Sequence, residues 1–294
     1  MTNISIALTT FNGEKYLCAQ LDSILNQTVQ FDELVVCDDC STDSTRDILL
    51  KYQLKDQRIK VYFNDYNIGF KQNFEKAIKL CKGDYIALAD QDDIWAKDHL
   101  KILYENINNK MLACADAILM DSDGNEYKHT LSFINNYNKT SFNNNSTCRF
   151  ILYYQNPFQG ASMMLNRKFI DIALPIPEKV KYHDVWFALL GCILDSFVFI
   201  NHSITYYRMH NKNASGLHNR HSTYRTLLGH LIKKEMNNNR KEVVDALTQM
   251  SLPYSDSSII LNESIEYYKD RKFKTRINNL LFELKNYSII YGKQ

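Results

Sequence analysis

The sequence predicts an α/β protein with a mostly parallel central sheet that is flanked by helices. From Ile4 to Met120, short apolar segments alternate with segments whose apolar residues recur at helical spacing. Several of the apolar segments run directly into polar or acidic residues. Alternating strands and helices favour a parallel sheet, and ligands bind such sheets beyond the carboxyl ends of the strands. We therefore expect the polar clusters to form a binding edge.

Each element is predicted from its own pattern. Strands are expected at residues 4–10, 34–37, 59–63, 85–89, 112–120, 161–165, 197–200 and 204–207. Helices are expected at residues 14–27, from the turn at 38–43 to 52, and at 70–81, 97–106, 184–194, 224–236, 241–250 and 258–290. The polar stretch 121–147 is predicted to be a loop region over one face of the site. A change to helical, more basic sequence predicts a first domain over 1–217 and a helical C-terminal extension over 218–294.

Composition excludes some classes of protein. The hydrophobic fraction of 45% is too high for a disordered chain, and the formal charge of only +2 gives no global attraction to nucleic acid. The seven scattered cysteines are typical of reduced thiols. No basic and apolar leader is visible, and the apolar run at 185–194 is shorter than the roughly 20 residues of a membrane span. We expect a cytoplasmic protein, soluble or peripheral at the membrane.

The strongest motif is Asp90-Gln91-Asp92-Asp93, which directly follows an apolar strand. Three carboxylates this close repel one another, and a divalent cation among them relieves the repulsion. Mg²⁺ commonly binds one or two carboxylates together with substrate phosphates. The alternative is a solvated acidic turn with a helix cap at Asp93, and the motif alone does not decide between the two.

Two further polar clusters follow the first two strands. Asp38 and Asp39 end the second strand, where a carboxylate could accept a hydrogen bond from a nucleobase; the alternative is helix capping, which is favoured for Ser41 and Asp43. After the first strand, backbone and hydroxyl groups of the segment Thr9-Thr10-Phe11-Asn12 could line a nucleotide.

In their order along the chain, these motifs resemble glycosyltransferase family 2. The resemblance extends over roughly residues 4–217, and its Asp-Gln-Asp-Asp-Ile-Trp form is similar to bacterial rhamnosyltransferase-like members. The further matching motifs include Asn67-Ile68-Gly69, Asn73, Gly83-Asp84-Tyr85, Asn156, Gly160-Ala161-Ser162, His183-Asp184-Val185-Trp186 and Tyr207-Arg208-Met209-His210. The resemblance implies a GT-A fold, an inverting reaction and a Mg²⁺ or Mn²⁺ cofactor.

The resemblance also implies roles for individual residues. Asp184 would be the catalytic base, and Asp92 with His210 would contact the metal. The expected donor-binding residues are Thr9, Phe11, Asn12, Asp38, Asp39, Asn67, Gly69, Asn73, Asp90, Gln91, Arg208 and His210. The expected acceptor-binding residues are Trp95, Gly160, His183 and Trp186.

Several of these residues have a plain structural alternative. Asp184 begins an apolar helix, where Asp is also a favoured N-cap. Arg208 and His210 could pair with phosphate or could form a solvated strand end. Packing is favoured for Trp95, whereas Trp186 suits either packing or stacking on a sugar.

The expected partners are a dTDP- or UDP-linked sugar, with dTDP-L-rhamnose favoured, and a saccharide or lipid-linked saccharide acceptor of bacterial cell-surface polysaccharide synthesis. The basic cluster at 269–276 could contact a membrane, although an ordinary helical face packed on the catalytic domain or a second subunit is favoured. Two rival classes are an aspartyl phosphatase or phosphotransferase and a non-catalytic module that binds nucleotide sugars. A dinucleotide-dependent dehydrogenase is not expected, because no Gly-x-Gly-x-x-Gly follows the first strand.

Overall fold

The computed structural model describes residues 3–135, 137, 142–153, 155–210 and 234–250. Within these ranges nine strands form one sheet with helices on both faces, as the α/β prediction required. The strands are β1 (Ile4–Thr10), β2 (Glu33–Asp38), β3 (Ile59–Phe63), β4 (Tyr85–Asp90), β5 (Ile94–Trp95), β6 (Leu112–Met120), β7 (Glu126–Thr130), β8 (Met163–Asn166) and β9 (Phe197–Arg208). The helices are α1 (Leu17–Leu25), α2 (Thr45–Lys55), α3 (Phe70–Leu80), α4 (His99–Ile107), α5 (Leu131–Ile134), α6 (Asn144–Tyr153), α7 (Arg167–Ala173), α8 (His183–Ile193) and α9 (Lys234–Gln249).

The sheet is parallel in its first half and mixed in its second. Its order is β3-β2-β1-β4-β8-β6-β9-β5, with β7 beside β6. The strands β1 to β4 are mutually parallel, whereas β8 is antiparallel to both β4 and β6. Because β6 and β9 are parallel, the strands β1, β2, β4, β6 and β9 all end at the same edge of the sheet. That common edge is where the polar motifs of the sequence meet.

Alternation of side chains along the central strands divides the core between the two faces of the sheet. On one face, Ile6 and Leu8 of β1 pack with α1, α2 and α4. On the other, Ala7 of β1 packs in the same cluster as α3, α6 and α8. Every residue of β1 and β2 is buried, which is why both strands read as continuous apolar runs.

The segment 121–147 contains more structure than the loop that we expected. It holds β7, α5 and the first residues of α6. The strand β7 pairs with β6 alone, and its residues are exposed apart from the half-buried Thr130. An exposed strand of this kind carries no apolar alternation, so its sequence resembles a polar loop.

The strand β9 replaces the two strands expected at 197–200 and 204–207. Its pairing with β6 shifts register between Ile200 and Ser203 and again before Thr205. The shift lets the exposed residues Asn201 and His202 stay in the strand as a bulge. The polar interruption in the sequence therefore marks an irregularity within one strand.

Beyond the sheet, α9 packs on the core through Val243, Val244 and Leu247, which belong to the same cluster as α8. This single helix overlaps the end of the predicted helix 224–236 and most of 241–250. The predicted helix 258–290 and the basic cluster at 269–276 lie outside the described residues, so the boundary at 217 stays a prediction. No helix among the described residues has an apolar stretch long enough to cross a bilayer.

Candidate active site

A cavity of about 400 Å³ opens at the carboxyl ends of β1, β2 and β4 and is closed on its far side by the start of α8. Its volume lies within the usual range for small-molecule sites. Its lining residues are Thr9, Thr10, Phe11, Asp39, Asn67, Gly69, Phe70, Asn73, Phe74, Asp90, Gln91, Asp92, Gln159, Gly160, Tyr182, His183, Asp184 and Tyr207. The cavity thus brings together most of the residues that the sequence singled out.

The acidic motif at the end of β4 divides between the cavity and the core. Asp90 and Asp92 line the cavity, whereas Asp93 is fully buried. Burial, together with the negative charges of Asp92 and Asp184, raises the pKa of Asp90 to about 8. Burial and the charges of Asp92 and Asp90 also raise the pKa of Asp93 well above its usual range. Carboxylates held this close favour a cation beside them.

Asp93 connects the acidic motif to β9. Its Oδ1 accepts a hydrogen bond of 3.0 Å from the backbone N–H of Arg208, while Oδ2 has no partner in the described part of the chain. Since β5 follows Asp93 directly, the helix cap that we considered for this residue is wrong.

Arg208 and His210 meet the acidic motif because β9 ends at the same edge as β4. Nε2 of His210 lies 2.8 Å from Oδ2 of Asp92. The Arg208 guanidinium donates to backbone carbonyls of Asp92 (2.9 Å), Asp121 and Ser122. Neither residue lines the cavity in this structure. The predicted phosphate contact of Arg208 therefore stays a prediction, and its observed contacts are with the backbone.

The turn after β1 is fastened to Gln91. The backbone N–H of Phe11 donates to Oε1 of Gln91 (2.8 Å), and Nε2 of Gln91 donates back to the Phe11 carbonyl (3.0 Å). Asn12 has a φ of 49° and lies outside the cavity lining, where its Oδ1 accepts from the N–H of Thr42 (2.8 Å). The structure thus gives Asn12 a bracing contact and leaves Phe11, 46% exposed, at the cavity.

Asp38 and Asp39 have different environments although they are adjacent. Asp38 lies outside the cavity lining and accepts hydrogen bonds from Thr10 and from both the N–H and the hydroxyl of Ser41. Both are buried, 2% exposed, but Asp39 lines the cavity. The expected donor contact is thus geometrically available to Asp39, whereas Asp38 holds the turn that follows β2.

Asp39 anchors the loop that enters α3. Its carboxylate accepts three hydrogen bonds of 2.8 Å, from Nδ2 of Asn64 and the N–H groups of Ile68 and Gly69. Gly69 has a φ of 85°, a backbone conformation that favours glycine. Nδ2 of Asn67 donates to the Asp39 carbonyl (3.3 Å). Asn73 in turn donates to the Cys37 carbonyl (2.7 Å).

Asp184 faces the acidic motif from the first turn of α8. The N-cap of this helix is Tyr182, so Asp184 is not the cap residue. Its carboxylate accepts from the N–H of Val185 (2.7 Å) and from Nδ2 of Asn156 (3.1 Å). Burial raises the pKa of Asp184 to about 6, against the lowering effect of those two hydrogen bonds. A carboxylate with this pKa is ionised at neutral pH and is basic enough to accept a proton.

His183 closes one wall of the cavity. Its ring packs on Phe74 with centroids 4.2 Å apart, and neither ring nitrogen has a hydrogen-bond partner among the described residues. Burial lowers the pKa of His183 to about 3, so the imidazole is neutral. A side chain on Gly160 would collide with Nε2 of His183. Gly160 therefore permits the close approach of that ring.

The two tryptophans predicted to bind the acceptor are not brought to the cavity. Trp95 is 3% exposed and stacks on His99, with ring centroids 3.8 Å apart. Trp186 is 1% exposed and donates through Nε1 to the Ala173 carbonyl (2.8 Å). Both therefore pack in the core, and neither enters the proposal below.

Sequence reasoning missed several cavity residues. Gln159 is 7% exposed and donates through Nε2 to the hydroxyl of Ser162 (2.8 Å). The others are aromatic: Phe70, Phe74, Tyr182 and Tyr207. Their sequence positions gave no indication, because an aromatic residue beside a cavity has the same pattern as one in the core. Only the proximity of Gln159 to Gly160 and of Tyr182 to Asp184 could have marked those two.

Asp92 and His210 fit a divalent cation. Their 2.8 Å separation allows both donor atoms to contact one ion, and Asp90 lines the same cavity. The described residues contain no group of three or more His, Cys, Asp or Glu side chains arranged as a metal cage. Mg²⁺ and Mn²⁺ suit carboxylate ligands and are often completed by substrate phosphates. The residues present therefore fit an ion that is shared with a diphosphate.

Comparison with known proteins agrees with this geometry. The family model described as Glycosyl transferase family 2 matches residues 5–174, more than half of the 294-residue chain. The chain therefore belongs to glycosyl transferase family 2 and is a glycosyltransferase.

Two named relatives match part of the chain. The putative teichuronic acid biosynthesis glycosyltransferase TuaG of Bacillus subtilis is 38% identical over 105 residues, which are 34% of this chain and 42% of TuaG. The UDP-Glc:α-D-GlcNAc-diphosphoundecaprenol β-1,3-glucosyltransferase WfgD of Escherichia coli is 38% identical over 99 residues, 34% of this chain and 38% of WfgD. The chain thus aligns with less than half of the length of either relative.

Solved structures share the GT-A fold. TarS residues 1–349 of Staphylococcus aureus in complex with UDP-GlcNAc superpose with a TM-score of 0.58 at 18% identity, covering 98% of this chain and 78% of that one. The mannosyltransferase PcManGT of Pyrobaculum calidifontis, in complex with GDP-Man and Mn²⁺, gives 0.54 at 12% identity, covering 100% and 88%. At these identities the likeness establishes the fold alone.

Proposed function

We propose that this chain moves a sugar from a nucleoside-diphosphate donor to a hydroxyl group of a saccharide acceptor, with inversion at the anomeric carbon. The observation that carries the proposal is the position of Asp184, which lines the same cavity as Asp39, Asp90 and Asp92. One end of the cavity offers polar groups for a nucleotide, and the other offers a single carboxylate that is ionised near neutral pH.

In the proposed reaction, Asp184 accepts the proton of the acceptor hydroxyl. The acceptor oxygen forms a bond to the anomeric carbon from the side opposite the diphosphate, and the bond between that carbon and the diphosphate breaks. Asn156 holds Oδ2 of Asp184 through its amide at 3.1 Å, which fixes the direction of the carboxylate. Orientation and charge stabilisation supply most of the rate acceleration in such a reaction.

Asp92 and His210 would hold the divalent cation, Mg²⁺ or Mn²⁺. When bound, the cation neutralises the negative charge of a diphosphate and makes it a better leaving group. The Mn²⁺ in the complex of PcManGT supports this part of the proposal by analogy of fold.

The donor is proposed to carry UDP, with a hexose or an N-acetylhexosamine as the sugar. The names of WfgD and of the TarS complex mention UDP-Glc and UDP-GlcNAc. The rhamnosyltransferase-like form of the acidic motif favoured dTDP-L-rhamnose, which remains the donor to compare in the same assay. Uracil and thymine share the imide N–H that Asp39 could accept, so this residue does not distinguish the two.

The acceptor is proposed to be a saccharide or a lipid-linked saccharide of a cell-surface polysaccharide. WfgD is named for a diphosphoundecaprenol-linked acceptor, which supports a cytoplasmic enzyme that works beside a membrane. The predicted membrane contact and the predicted homodimer both involve the C-terminal helices, most of which lie outside the described residues.

The direct test is Asp184→Asn, assayed with UDP-Glc, UDP-GlcNAc and dTDP-rhamnose in the presence of Mn²⁺. We expect transfer to fall by on the order of 10³-fold, while UDP binding measured by calorimetry stays close to that of the unchanged protein. Asp171→Asn, at an exposed position of α7, is the matched control and should transfer normally. Normal turnover by Asp184→Asn would reject the base assignment, and UDP binding without turnover in the unchanged protein would favour a binding module.

A further inference from the structure

Tyr16 lies beside the acidic motif without lining the cavity. It is the N-cap residue of α1 and is half-buried. Its own N–H and that of Leu17 both donate to the Gly13 carbonyl at 3.1 Å. The ring is therefore held by a backbone turn that directly follows the turn fastened to Gln91.

The Tyr16 ring contacts both side chains that β9 sends to the acidic motif. The Arg208 guanidinium carbon lies 4.5 Å from the ring centroid. The His210 ring lies with its centroid 5.2 Å away and its plane inclined by 28°. Residues two apart in an extended chain project to the same side, so one aromatic ring can support both side chains.

These two contacts act on Asp92 in different ways. Arg208 holds the backbone of the motif, because its Nε donates to the Asp92 carbonyl at 2.9 Å. His210 reaches the side chain, with Nε2 at 2.8 Å from Oδ2. Arg208 is fixed further by the carbonyls of Asp121 and Ser122. The imidazole lies two residues further on, where β9 has already ended, so its orientation depends more strongly on the ring beneath it.

We infer that Tyr16 is a positioning residue that orients His210 toward Asp92 for the cation and the diphosphate. The inference rests on the proposed function. A side chain that orients a metal ligand commonly changes metal affinity by about 10- to 100-fold when it is removed. A cation–π contact requires only the face of the ring, so the tyrosine hydroxyl is not needed for this role.

The test titrates Mn²⁺ into the full-length protein in the presence of UDP and follows free Mn²⁺ by electron paramagnetic resonance. We expect Tyr16→Leu to weaken Mn²⁺ binding on the order of tenfold. In the transfer assay, the Mn²⁺ concentration for half-maximal rate should rise by the same factor, while kcat at saturating Mn²⁺ changes by less than about threefold. Tyr16→Phe should restore both values to within about twofold of the unchanged protein.

Tyr104→Leu is the matched control. Tyr104 is a half-buried tyrosine that packs edge-on against Tyr85, with ring centroids 5.4 Å apart, at the opposite end of β4 from the acidic motif. It should bind Mn²⁺ normally. If Tyr16→Leu lowers the melting temperature more than the control does, Tyr16→Met is the second variant.

Two results would overturn the inference, and they differ in what else they reject. If the unchanged protein binds Mn²⁺ with UDP and Tyr16→Leu or Tyr16→Met binds it equally well, Tyr16 does not position His210. If the unchanged protein itself binds no Mn²⁺ under these conditions, the proposed cation site is rejected together with the inference.

Discussion

The two sides of the cavity are held in different ways. We call the residues that follow β1, β2 and β4 the strand side, and Gln159, Gly160 and residues 182–184 the helix side. On the strand side, Asp39 accepts three hydrogen bonds from the protein. On the helix side, Oε1 of Gln159 and both ring nitrogens of His183 have no partner among the described residues.

This difference indicates how free energy is distributed around the site. Satisfied buried carboxylates rigidify the strand side before any ligand binds. Unpartnered buried polar atoms cost free energy, and native proteins tolerate such costs mainly near functional sites. We expect substitutions on the strand side to reduce donor binding and substitutions on the helix side to reduce transfer.

The largest effect is expected for Asp39→Ala. Removing this carboxylate leaves the N–H groups of Ile68 and Gly69 without their acceptor, and each such loss costs about 1–3 kcal/mol. UDP affinity measured by calorimetry should fall on the order of 100-fold, and the melting temperature should fall as well. Asp47→Ala, at an exposed position of α2, is the control. Unchanged UDP affinity in Asp39→Ala would contradict the anchoring role.

The pH dependence of transfer should follow Asp184. Its pKa is raised to about 6 by burial, and the proposed base works only when it is ionised. The value of kcat/KM should therefore fall about tenfold for each pH unit below about 6 and should be level above it. UDP affinity, measured over the same pH range, separates this effect from a change in donor binding. A profile that stays level down to pH 5 would exclude Asp184 as the titrating group.

A smaller effect is expected for Gly160→Ala. The new methyl group would collide with Nε2 of His183, so the ring must move away from the cavity wall. We expect kcat/KM for the acceptor to fall about 3- to 10-fold with UDP affinity unchanged. In the His183→Ala background the same change should have little further effect, because a double-mutant cycle isolates the contact between the two residues. Additive losses would show that Gly160 acts independently of His183.

Patterns of strand and helix were sufficient to predict the fold class and the binding edge. Asp39, Asp90 and Asp92 were found because each follows a buried apolar strand, and parallel strands bring their ends together. Asp184 was identified through the family resemblance, since an acidic residue at the start of a helix is ordinarily a cap.

Other features depended on contacts that no local pattern records. Tyr16 matters because of two side chains that lie about 190 positions further along the sequence. Trp95 and Trp186 could not be separated from cavity residues, since a core position and a cavity wall show the same apolar periodicity. The strand β7 was missed because an exposed edge has no buried face to set an alternation.

The parallel alignment of β6 and β9 has a consequence for synthesis of the chain. The contact between Asp92 and His210 joins residues 118 positions apart, and the family match ends at residue 174, before both Asp184 and β9. During translation the first four parallel strands can pair while β9 is still inside the ribosome, since chains emerge at about 5–20 residues per second. A nascent chain would therefore acquire its nucleotide-facing surface first and its chemical competence only when the last strand docks.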